Sequence, residues 1–95
     1  MFNISKTTFN MAMRRGVELV VARDLLEDGG ALVCFYETEN DCEWMFSYRA
    51  GEAELTWQGN IYLPDAIKEE LPVTIFNEKQ LRDVIAYIGR QLPLN

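Results

Sequence analysis

The chain has 95 residues, 48% hydrophobic and 12% aromatic, with 15 acidic against nine basic side chains and a net charge of −6. That length holds one hydrophobic core, so residues 1–95 read as a single domain with the composition of a folded chain. Histidine is absent, which removes Cys–His and Ser–His nucleophile pairs and histidine metal ligation, and the acidic balance argues against direct sequence-specific nucleic-acid binding.

The charge is unevenly spread. Residues 1–23 carry Lys6, Arg14, Arg15 and Arg23 against Glu18, whereas residues 24–54 carry nine acids against Arg49 alone, a net of −8. Such a chain presents a dipolar surface whose acidic half suits a basic partner. No apolar run approaches the ~18 residues that span a bilayer, and the opening MFNISKTTFNMAMRRG lacks a secretory signal pattern. A cytoplasmic protein without membrane contact is expected. Dimerisation is a common remedy for the modest core of a domain this small.

In chain order, Ser5 or Thr7 is suited to cap a first helix. Phe9, Met13, Val17, Val20 and Val21 fall at helical spacing, which favours one helix to about Asp28, bent at Gly16 and stopped by Gly29-Gly30. The competing reading of VELVVA is a strand after a short helix. Leu19, Leu25 and Leu26 widen the helical stripe beyond one face, which offers a surface for a homodimer.

The middle of the chain predicts a three-stranded antiparallel meander over about residues 31–59. ALVCFYET, EWMFSYRA and AELTWQG are aromatic and β-branched runs separated by turn residues. Two-residue turns at Asn40-Asp41 and Gly51-Glu52 would fix the register. Phe35 would then face Phe46, Val33 face Tyr48, Glu37 face Trp44, Tyr48 face Leu55 and Phe46 face Trp57. Both hairpins put Val33, Phe35, Trp44, Phe46, Tyr48, Leu55 and Trp57 on one side. Cys34, Tyr36, Met45, Ser47, Arg49 and Thr56 fall on the other, so one face is apolar and the other mixed. The aromatic row reads first as a core ladder.

Beyond the meander, Ile61–Leu63 can form a short strand, Asp65–Glu70 a turn or short helix, and residues 73–76 a fourth strand. NEKQLRDVIAYIGRQL is a helix, with Asn77 and Gln80 placed as a capping box and Phe76 and Leu81 as a hydrophobic staple. Leu81, Val84, Ile85, Ile88 and Leu92 form its apolar stripe, and Pro93 ends it. The fold class is therefore α+β, a meander packed on one face by an N-terminal and a C-terminal helix.

ETENDCEW places Glu37, Glu39, Asp41 and Glu43 at alternate positions. In the expected register they diverge, and a calcium loop would also need glycine at its sixth position and glutamate at its twelfth; Cys42 and Tyr48 stand there. Cys34 and Cys42 would lie roughly 17 Å apart at ~3.4 Å per strand residue, too far for a disulfide. No glycine-rich phosphate loop precedes a helix. A paired-carboxylate hydrolase has its residue types available but needs a concave pocket.

The function expected is that of a small acidic, non-enzymatic protein-binding module, an adaptor or inhibitor that needs no cofactor or metal. It would present Tyr36, Glu37, Glu39, Asp41, Glu43, Trp44 and Met45 to a larger protein with a basic surface, such as a nucleic-acid enzyme. Many accessory proteins of phages and mobile elements are of this type, an association that no residue here carries. The alternatives are a structural homo-oligomer built on the first helix, and a small-molecule binder or enzyme using the aromatic sheet face.

Overall fold

A hydroxyl sets the first helix. Ser5 Oγ accepts from the Thr8 N–H at 3.3 Å and caps α1 (Lys6–Arg14). The computed structural model describes residues 2–23, 26–40 and 42–94. In it α1 ends at Arg14 rather than near Asp28, because Gly16 takes φ = +85°, a conformation open to glycine and costly for other residues. The chain then reverses into β1 (Val17–Ala22). The expectation of one long helix is thereby corrected, and its apolar stripe is divided. Phe9 and Met13 stay on the helix, whereas the β-branched Val17, Val20 and Val21 lie on a strand, where branched side chains pack with least loss of freedom.

Four further strands follow: β2 (Ala31–Glu37), β3 (Phe46–Ala50), β4 (Leu55–Asn60) and β5 (Thr74–Ile75). They pair antiparallel with β1 in chain order, so the meander is the centre of a five-stranded sheet. Between β4 and β5, Asn60 brackets Leu63 by two hydrogen bonds in place of the expected strand at 61–63. The short helix α2 (Asp65–Lys68) follows. The last helix, α3 (Glu78–Gln91), closes the chain.

Alternation along the strands sends Val17, Leu19, Val33, Phe35, Phe46, Tyr48, Leu55 and Ile75 to one face, where they form a single core with Ala12 of α1 and Leu81, Val84, Ile85 and Ile88 of α3. Phe46 stacks on Phe35, with ring centroids 4.4 Å apart, and on Trp57 at 5.7 Å. The other face carries Glu18, Val20, Leu32, Cys34, Tyr36, Ser47, Arg49 and Thr56. All three helices direct apolar side chains into the core of the first face, so the second has no helical layer among the described residues.

The first hairpin has the expected strand register, with Phe35 opposite Phe46 and Val33 opposite Tyr48, but not the expected turn. The chain turns at Thr38-Glu39, where the Asn40 N–H donates to the Glu37 carbonyl at 3.0 Å. Residues 42–45 lead into β3 through an irregular approach. There the Met45 N–H donates to Phe35, the residue already opposite Phe46. That extra residue breaks the alternation. Met45, expected on the mixed face, is fully buried in the core, and Trp44, expected in the core opposite Glu37, lies edge-on to Tyr36.

The second hairpin turns one residue later than expected, at Glu52-Ala53, with the Gly51 N–H donating to the Glu54 carbonyl at 2.8 Å. The register therefore slips by two, pairing Tyr48 with Trp57 and Ala50 with Leu55. A two-residue slip preserves the face, so the expected inward set of β3 and β4 survives while its pairings change. A bulge opposite Ser47 and Tyr48 absorbs one further residue of β4.

α1 and α3 meet at both ends. The side chain of Glu78, at the start of α3, accepts from Ser5 N (2.9 Å), Ser5 Oγ (2.5 Å) and Thr8 Oγ1, tying both helix N-termini together. At the other end a Cβ on Gly89 would come within 2.9 Å of Arg15 Cβ, so α3 needs glycine there to approach the end of α1. Asn77 caps α3 through its N–H···O bond from Gln80 at 2.8 Å. The Gln80 amide does not complete a capping box. It accepts from the Phe76 N–H at 2.8 Å and donates to the Thr74 carbonyl at 3.3 Å. The expected staple is also missing, since Leu81 is buried while Phe76 is 68% exposed.

Candidate protein-binding surface

The β2–β3 connection collects most of the residues expected to meet a partner. Tyr36, next to the last residue of β2, lies half-buried on the face without helices. Its ring centroid lies 6.1 Å from that of Trp44 with the planes at 74°, an edge-to-face pair. Because the extra residue at Met45 turns Trp44 onto this face, the two aromatics meet beside the loop rather than on opposite sides of the sheet.

The acids do not form one cluster. Glu37 Oε1 accepts from the Tyr62 hydroxyl at 2.9 Å, and Asn40 Nδ2 reaches the same hydroxyl at 3.4 Å. Glu39 is exposed at the turn, and Glu43 is exposed further along the loop. Asp41 lies outside the described residues. Met45 is removed from the candidate surface by its burial in the core. Among the described residues no group of three or more His, Cys, Asp or Glu side chains is arranged to hold a metal.

Tyr62 is the residue that sequence reasoning missed. Burial, and then its hydrogen bond to Glu37, push its hydroxyl up to about 12, so it stays a protonated donor at any physiological pH. It fixes the Glu37 carboxylate in place. Its sequence signal is an aromatic residue between Ile61 and Leu63, which names no partner.

Behind the turn an open cavity of about 320 Å³ is lined by Glu37 and Glu39 on one side and by Arg15, Leu92 and Pro93 on the other. Cys42 is exposed and Cys34 is buried, both as free thiols, and burial pushes the Cys34 thiol up to about 11. The Phe35–Phe46 stack has no exposed face to offer a ligand, as both rings are fully buried.

Comparison with family models, with curated proteins and with solved structures finds no match. Among the described residues no helix is long and apolar enough to cross a membrane.

Proposed function

We propose that this protein is a cytoplasmic, non-enzymatic binding module whose β2–β3 loop docks on a basic surface of a larger protein. The observation that carries this reading is the half-exposed Tyr36–Trp44 pair on the sheet face without helices, with the acids Glu37, Glu39 and Glu43 at the adjoining end of β2 and in the loop. Tyrosine and tryptophan are frequent anchors of protein interfaces, with charged residues at the rim. The Tyr62–Glu37 bond supports the reading further, because a fixed carboxylate loses less freedom on binding than a mobile one. An adaptor or inhibitor of a nucleic-acid enzyme fits this chemistry.

The test is capture from a cell lysate at low and high salt, with wild-type protein and a Glu39→Lys/Glu43→Lys variant as baits. The expected partner is basic, retained by the wild type at low salt, and lost both at high salt and with the variant. Equal capture by both baits would remove the loop from the mechanism.

A further inference from the structure

We propose that a second, separate groove, between the Leu71-Pro72 segment and α3, receives an arginine side chain presented by a protein partner. This groove shares no residue with the β2–β3 loop, so it stands or falls independently of the reading above.

The groove has a volume of about 310 Å³ and is open rather than enclosed. Leu71, Pro72 and Val84 line it with apolar surface, Tyr87 adds an aromatic ring, and Glu70 and Asp83 add carboxylates. No basic residue lines it. Lys79 reaches Asp83 at 3.2 Å from its own helix, an exposed i,i+4 pair that an incoming cation can displace at little cost.

Its walls are already formed. The buried Tyr48 side chain donates from its hydroxyl to the Pro72 carbonyl at 2.5 Å, pinning one side. The other side belongs to α3, which is held by the buried Leu81, Val84, Ile85 and Ile88. A preformed groove avoids much of the ordering cost of binding.

Apolar lining with carboxylates selects a side chain with an apolar stem and a cationic head. Arginine fits better than lysine because its planar guanidinium lies flat on an aromatic ring and takes carboxylates in a fixed fork. Val73, 71% exposed, and Phe76 continue the chain from Pro72. They offer apolar ground for the partner's residues on either side of the arginine, which favours a peptide segment over a free small cation.

The test is a titration of isotope-labelled protein, followed by amide NMR shifts, with the blocked tripeptide acetyl-Leu-Arg-Leu-amide and its neutral citrulline counterpart. The arginine peptide should shift Gln80, Val84 and Tyr87. Its binding should weaken about fivefold or more with citrulline, and equally with Asp83→Asn or Glu70→Gln, as expected for loss of a charge-assisted bond. Both acids are exposed, so the variants should keep the wild-type spectrum elsewhere. Equal binding of the two peptides, or no shift at all, would overturn the proposal. Shifts centred on Glu37 to Glu43 would overturn it too, while leaving the loop as the basic-partner site. Concentration-dependent shifts in the groove without peptide would mean that a second copy supplies the arginine, which also rules out the foreign partner.

Discussion

Phe46 shows what a single side chain contributes to this core. It is fully buried and touches the rings of Phe35, Tyr48 and Trp57, so Phe46→Ala should cost about 3–5 kcal/mol. Glu43, exposed on the loop, should change stability by no more than about 0.5 kcal/mol when replaced by alanine. Chemical denaturation of the two variants should separate them clearly, and equal losses would contradict the placement. The thiols give a second check at this scale. Cys42 is exposed, while Cys34 is buried with its thiol pushed up to about 11. A thiolate-specific reagent near neutral pH should therefore modify one cysteine in the folded protein and both after denaturation. Rapid reaction of two would place Cys34 on an accessible surface.

Each element was legible where one local rule decided it. The α3 helix follows from its apolar spacing and from Asn77, and the inward set of the central strands follows from alternation, which survived a turn misplaced by one residue because the register slipped by two. Three features lay beyond such rules. Whether VELVVA is helix or strand depended on the backbone at Gly16, where β-branching and a positive φ outweighed helical spacing. Glycine there should matter, and Gly16→Ala should cost roughly 1–2 kcal/mol in thermal or chemical unfolding. The exchange of Met45 and Trp44 depended on an extra residue that no turn motif announces. The bond from Ser5 and Thr8 to Glu78 joins residues some 70 positions apart, a pairing that only the tertiary fold creates. It has a pH signature. The side-chain hydrogen bonds from Ser5 and Thr8 and the Ser5 N–H hold the Glu78 carboxyl below its ordinary 4.5. A depressed folded value stabilises the protein above the unfolded value and loses that contribution as the pH falls through the folded one. Wild type should therefore exceed Glu78→Gln in stability most near neutral pH, and the gap should close progressively below about pH 4.5. Asp28, held low by Arg49, titrates in both proteins and cancels from the comparison. A gap independent of pH would mean that the contact acts through packing alone.

At the scale of the whole molecule, the charge is distributed so that attraction and contact can be measured apart. The −8 of residues 24–54 faces outward in part through Glu39 and Glu43, while Lys6, Arg14 and Arg15 are exposed on and just after α1. Exposed charges act over a Debye length of about 8 Å at physiological ionic strength, which makes them steering groups rather than sources of lasting affinity. Glu39 lines the same cavity as the basic residue Arg15, whereas Glu43 does not, so the two acids differ in their surroundings. Charge reversal at Glu43 should slow association with a basic partner more than reversal at Glu39, and both effects should shrink as salt is added. Tyr36 acts differently, since its ring packs edge-on against Trp44 and would be desolvated in a complex. Tyr36→Ala should leave the association rate within about twofold and speed dissociation, because most interface truncations act on the off-rate. Surface plasmon resonance on the captured partner at two salt concentrations reads all of these. If Glu43→Lys changed dissociation and Tyr36→Ala changed association, the roles of charge and ring would be reversed, and the β2–β3 loop would not dock as proposed.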